Sequence, residues 1–146
     1  KLDVIATDHA PHTLEEKSGS YFNTPAGLPL VQHALPMLFD LARRGEITHE
    51  LIVEKACHAP ADLFGVIDRG YIREGYYADL VLVDTKKSYK VNKDNILYKC
   101  QWSPFEDHTF SSSIQTTIVN GIIAYSDGKL NDSIPGKRLH FNRSRN

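Results

Sequence analysis

Asp8, His9 and His12 are the residues of this 146-residue chain whose types and spacing could do chemistry. They follow an apolar run, Val4-Ile5-Ala6, in the string Thr7-Asp8-His9-Ala10-Pro11-His12. A carboxylate and two imidazoles at one place can bind a metal ion, move protons or hold an anionic substrate. Asp8 is the first carboxylate past the apolar run, and His12 stands beyond a proline that blocks early helix formation. A purely structural reading is also open, because Asp, His and Pro often follow strands, where turns and caps favour them.

The elements that must position these residues are readable around them. Apolar residues without alternation over 2–7, ending abruptly in polar ones, predict a strand buried on both faces. The polar cluster then lies at its C-terminal end, where parallel α/β folds gather ligands and catalytic groups. Residues 13–24 read as a polar loop centred on Ser18-Gly19-Ser20, long enough to act as a lid over the strand tip. Glu15, Glu16 and Lys17 read as solvated charges. Gly27, between Pro25 and Pro29, gives a rigid turn with one permissive backbone position. Main-chain groups exposed there could read a planar amide or imide; a plain turn into a helix is the alternative.

Over 29–44, Leu30, Val31, Ala34, Leu35, Leu38, Leu41 and Ala42 recur at helical spacing. Pro36 is expected to kink or break this helix, and Gly45 to end it. His33 reads as a packed or surface residue, not a metal ligand. Thr48 caps a second helix over 50–57, and a short helix from His58 closes at Gly65. From Val66 the texture is β. Residues 78–84 form a strong strand candidate, 88–91 a short one, and Asn120-Gly121 turns a hairpin of 115–119 and 122–125. A second turn follows at Ser126-Asp127-Gly128, residues 137–141 suit a last strand, and the basic tail 142–146 is expected to fray. Asp79 reads as a turn residue bonding the backbone, and the stretch from Trp102 to His108 as packing.

Composition narrows the function classes. Lys and Arg total 17 against 18 Asp and Glu, a net charge of −1, so the whole chain suggests neither nucleic-acid nor membrane-surface binding. No apolar run approaches a membrane span, and no signal-peptide pattern opens the chain. Two cysteines, Cys57 and Cys100, make neither a disulfide scaffold nor a zinc knuckle. A reducing cytoplasm fits that usage. The chain opens without methionine, at a buried-type strand that needs neighbours, so a C-terminal piece of a longer protein is expected. A complete eightfold barrel needs roughly 250 residues.

The string from Thr7 to His12, continued by Thr13-Leu14-Glu15-Glu16-Lys17, resembles the end of the last barrel strand and its loop in dihydroorotases, of the amidohydrolase superfamily. His58-Ala59-Pro60-Ala61-Asp62-Leu63-Phe64-Gly65 is similar to the Asn-Pro-Ala segment that follows the barrel there. The run from Gly70 through Asp84 is similar to the entry to the small β-sandwich beside the barrel. Ser103-Pro104-Phe105-Glu106 matches a further family segment, with Asp107 in place of the usual glycine.

The resemblance implies an α/β fold: the C-terminal end of a (β/α)8 barrel over 1–65, then part of a β-sandwich with a tail over 66–146. It implies hydrolysis of a cyclic amide, dihydroorotate, reversibly to N-carbamoyl-L-aspartate in pyrimidine synthesis. The cofactor implied is a pair of zinc ions, which would supply a hydroxide and polarise the carbonyl. Asp8 matches the aspartate that touches the metal and shuttles the proton. His12, Ala26 and Gly27 match substrate-binding positions, His12 toward the carboxylate or ring oxygen and Ala26-Gly27 through the main chain. His9 is expected to support the loop. The partner implied is the small-molecule substrate, with no nucleic acid and no membrane, and a homodimer is compatible. The family's other metal ligands, an H-x-H pair, a lysine and two further histidines, have no counterpart here, so the chain by itself is expected to be inactive. Two alternatives stay open. One is a sister enzyme (hydantoinase, dihydropyrimidinase or allantoinase), against which His12 argues. The other is a non-catalytic homologue acting as partner or scaffold, against which Asp8 argues.

Overall fold

The computed structural model describes residues 2–133 and 136–142. The first part of the chain is helical and the second is antiparallel sheet, an α/β composition.

Residues 2–7 form no strand and join no ladder, with a bend at Asp3, contrary to the expected buried strand. Leu2 is 76 % exposed. A two-faced strand needs paired neighbours, and no described residue supplies them over this stretch. One bond holds it: the Ile5 N–H donates to the Lys55 carbonyl at 2.9 Å.

The 13–24 loop is not structureless. Leu14–Lys17 forms a helical turn, α1, closed by a capping box between Thr13 and Glu16. The main helix, α2, is Ala34–Arg43. It starts later than the apolar pattern implies, so Pro36 falls in its first turn, where no intrahelical N–H is needed, and no break follows. Gly45 follows it at φ +76.

Thr48 caps α3, His49–Val53, through its side chain. The helix then runs without interruption through a π-turn, Glu54–His58, into α4, Ala59–Phe64. The cause is Pro60, which has no N–H for the Ala56 carbonyl and whose ring crowds it. The widened turn sends the Ala59 N–H to Glu54 and leaves the Lys55 carbonyl for Ile5. Gly65, at φ +62, ends α4 in the left-handed region.

Beyond it, β1 (Leu80–Asp84), β4 (Ser113–Val119), β5 (Ile122–Ser126) and β6 (Lys129–Leu130) form one antiparallel sheet in the order β1-β4-β5-β6. The Asn120-Gly121 hairpin is present, with both residues at positive φ as a two-residue turn requires. Asp79 bonds the backbone as expected: its Oδ1 accepts the Asn120 N–H at 2.7 Å, and it also pairs with Arg69. A second, two-stranded sheet joins β2 (Tyr89–Lys90) to β3 (Thr109–Phe110). The expected last strand over 137–141 reduces to a single bridge, Phe141 to Val66. Of the basic tail, only Asn142 is among the described residues.

The tightest packing lies where α2 meets the β2–β3 pair. Phe110, His33, Val91 and Ser112 are fully buried there. Asp40 of α2 fastens the two: its carboxylate accepts the Ser111 N–H at 2.8 Å and hydroxyl at 2.5 Å, and meets His108 at 3.3 Å. Burial alone would raise the Asp40 pKa, but these donors outweigh it and hold the carboxyl below its ordinary range.

Candidate active site

Asp8 follows residues 2–7 with its backbone in the left-handed region, φ 46, a conformation that aspartate tolerates better than most residues. Its side chain is exposed and has no partner among the described residues. Immediately after it the chain is pinned from beneath. The His9 Nδ1 accepts the N–H groups of Leu30 at 3.0 Å and Val31 at 3.3 Å. His9 therefore supports the loop, as expected, and Nδ1 is held as an acceptor.

The turn at 25–28 is joined to this loop at two points. The Ala10 N–H donates to the Leu28 carbonyl at 3.0 Å. Gly27, at φ +94, lies so close to Ala10 that a β-carbon on it would come within 2.4 Å of Ala10 Cβ. Only glycine suits both the angle and the approach. The structure thus brings the Ala26-Gly27 turn against the loop that carries Asp8 and His12. Among the described residues, the N–H groups of Ala26 and Gly27 and the Ala26 carbonyl have no hydrogen-bond partner.

His12 is half-buried. Its Nδ1 lies 3.8 Å from the Glu16 carboxylate, while Nε2 has no partner among the described residues. Hydrogen bonds from the Thr13 backbone and then its hydroxyl are the leading causes that keep the Glu16 carboxyl below its ordinary range, with His12 adding to them. The His12 carbonyl accepts the indole N–H of Trp102 at 2.7 Å. Two residues read as bystanders therefore touch the site. Trp102 holds the His12 main chain. Lys17, read as a solvated charge, donates from Nζ to the carbonyls of Pro25 at 2.6 Å and Gly27 at 3.2 Å. Thr13-x-x-Glu16 is a capping-box signal that announces α1 in the sequence. Nothing local announces the Trp102 contact.

His33 is fully buried, as a packed residue should be, among Tyr89, Tyr98, Phe105 and Phe110. Its Nδ1 lies 3.0 Å from the Ser103 hydroxyl, which itself accepts the Phe105 N–H at 3.2 Å. The Tyr98 hydroxyl lies 3.4 Å from the same Nδ1, and Nε2 is a buried atom with no hydrogen-bond partner among the described residues. Burial lowers the His33 pKa to about 4. Asp107, where the resemblance expects glycine, keeps the turn by adopting φ 67 itself.

No group of three or more His, Cys, Asp or Glu side chains that could hold a metal ion occurs among the described residues. Asp8 alone does not make a zinc site; the expected zinc pair concerns the full-length protein, whose other ligands this chain is not expected to hold. A cavity of about 420 Å³ lies elsewhere, lined by Gln32, Pro36, Tyr89, Leu97, Ile114 and Leu130 among others, and none of the candidate site residues borders it. No helix among the described residues is long and apolar enough to cross a membrane.

Residues 1–124 match the Amidohydrolase family, and the chain belongs to it. Among curated relatives it is similar to the dihydroorotase of Halobacterium salinarum, 44% identical over 108 residues, covering 74% of this chain and 26% of that protein. It is also similar to the dihydroorotase of Pyrococcus furiosus, 34% identical over 139 residues, covering 95% of this chain and 32% of that protein. Among solved structures it is similar to a D-hydantoinase (dihydropyrimidinase) from Thermus sp., with a TM-score of 0.82 at 25% identity, covering 89% of this chain and 30% of that one. An L-hydantoinase from Arthrobacter aurescens gives a TM-score of 0.80 at 26% identity, covering 89% and 30% respectively. The chain spans about a third or less of the length of these proteins.

Proposed function

We propose that this chain is the C-terminal part of a dihydroorotase, the last barrel strand with its loop and helices over 1–65 and part of a β-sandwich over 66–146. The observation that supports the reading is the seating of the Ala26-Gly27 turn on Ala10, in the loop between Asp8 and His12. Asp8 is exposed, His12 has an Nε2 with no partner among the described residues, and the turn has main-chain groups likewise without partners.

In ring opening, the oxygen of a water molecule bonds to the ring carbonyl carbon and the C–N bond breaks. The water proton must reach the departing nitrogen. Asp8 takes that proton and delivers it, a service worth about 10²–10⁴-fold. The His12 Nε2–H donates to the substrate carboxylate or ring oxygen, and the Ala26 carbonyl and Gly27 N–H pair with the ring amide. Zinc needs donors beyond Asp8, and this chain does not supply them; the 146-residue chain alone is therefore proposed to be inactive. A sister cyclic amidohydrolase is the second reading, favoured by the likeness to hydantoinase structures.

The test is hydrolysis of dihydroorotate by the full-length protein that carries this chain, followed by ring absorbance, with hydantoin and dihydrouracil alongside. Preference for dihydroorotate supports the reading. Faster hydrolysis of dihydrouracil or hydantoin moves the assignment to the sister enzymes.

A further inference from the structure

We propose that Lys17 is a positioning residue that fixes the main chain of the ring-reading turn; this rests on the reading of Ala26 and Gly27 as substrate contacts.

The ammonium of Lys17 is partly buried and spans the turn, donating to the carbonyls of Pro25 at 2.6 Å and Gly27 at 3.2 Å. These two carbonyls flank Ala26. With both bonded to Nζ, the Ala26 carbonyl and the N–H groups of Ala26 and Gly27 are the groups left for a ligand. Ordering a long lysine side chain costs rotamer freedom, so a single weak contact would not hold it. Two charge-assisted bonds to carbonyls in fixed geometry offset that cost.

The turn is held at more than one point. Lys17 bonds the carbonyls of Pro25 and Gly27, and Gly27 also packs closely against Ala10. Lys17 also ends the single helical turn whose Glu16 faces His12 at 3.8 Å. One turn of helix therefore reaches both proposed substrate contacts, His12 through Glu16 and the Ala26-Gly27 turn through Lys17. The capping box makes the turn a rigid unit, because Thr13 N–H reaches the Glu16 carboxylate at 2.7 Å and Glu16 N–H returns to the Thr13 hydroxyl at 3.2 Å.

A purely solvated lysine would leave substrate binding untouched when removed, and a general stability role would lower the melting temperature without favouring KM over kcat. A positioning role predicts a split. In the full-length protein that carries this chain, Lys17→Met is expected to raise KM for dihydroorotate roughly tenfold while kcat changes by less than about threefold. Lys17→Arg, which keeps the charge and its donors, is expected to recover part of the loss. Thermal midpoints measured in parallel separate binding from folding, and Lys17→Gln, which keeps one donor, replaces Lys17→Met if that variant does not fold. A KM for Lys17→Met within about twofold of wild type, or an Arg variant no better than Met, overturns the proposal while dihydroorotate activity of the wild type leaves the functional reading standing. If the wild type opens hydantoin and not dihydroorotate, only the substrate assignment fails, and the same KM split is read on hydantoin. A wild type that opens no cyclic amide overturns both.

Discussion

The indole N–H of Trp102 donates to the main-chain carbonyl of His12 at 2.7 Å, across 90 positions of sequence. The segment from Trp102 to His108 thus fastens the loop that carries the proposed substrate histidine. Ser103, the next residue, is anchored on buried His33 at 3.0 Å. Replacing Trp102 by Phe keeps an aromatic ring and removes the donor. Stability in urea should fall by about 1 kcal/mol, the net value of one such bond. Amide exchange should rise at Thr13 and Leu14, and unchanged protection there would show that the contact does not order the loop.

His33 gives the fold a pH dependence whose direction is fixed. Its pKa falls from 6.5 in the unfolded chain to about 4 in the folded one, because burial disfavours the charged ring. The unfolded chain takes up the proton first, so this contribution to stability is fully present above pH 6.5 and is lost as pH falls toward 4. The loss is of order 3 kcal/mol. Urea midpoints of the wild type and His33→Gln, compared between pH 7.5 and 4.5, should show the extra loss in the wild type alone. Parallel pH profiles would contradict it.

Some of this was legible from residue order and some was not. The strand at Leu80–Asp84, the Asn120-Gly121 hairpin and the Gly65 helix end depend on local chemistry, and the chain announces them. The stretch 2–7 has strand chemistry, but a ladder depends on neighbours that its own residues do not specify. Pro36 looked disruptive because apolar spacing began before the helix did; the start at Ala34 makes it a first-turn proline. The π-turn before Pro60 follows from one missing N–H, yet its consequence, the Lys55 carbonyl reaching Ile5, is a tertiary fact. Asp8, His12 and Gly27 stood out by type. Lys17 and Trp102 did not, because a lysine and a tryptophan declare a role only through what they touch.

Gly27→Ala tests the seating of the turn. The new methyl group meets Ala10 and must also adopt φ +94, whereas Gly45→Ala, at φ +76 with nothing within 4 Å, suffers the backbone strain alone. Gly45→Ala should cost about 1 kcal/mol, and Gly27→Ala roughly 1–3 kcal/mol more. In the full-length protein Gly27→Ala should also weaken dihydroorotate binding. Equal losses for the two variants would mean that Ala10 yields freely and that the seating is not tight.

The central claim is that Asp8 carries the proton in ring opening, and Asp8→Asn in the full-length protein addresses it most directly. The amide keeps the shape of the carboxylate and cannot accept a proton. Turnover of dihydroorotate should fall by about 10²–10⁴-fold or more in both directions, with kcat and kcat/KM falling together because the lost interaction belongs to the transition state. Turnover by Asp8→Asn within a fewfold of wild type would contradict the account.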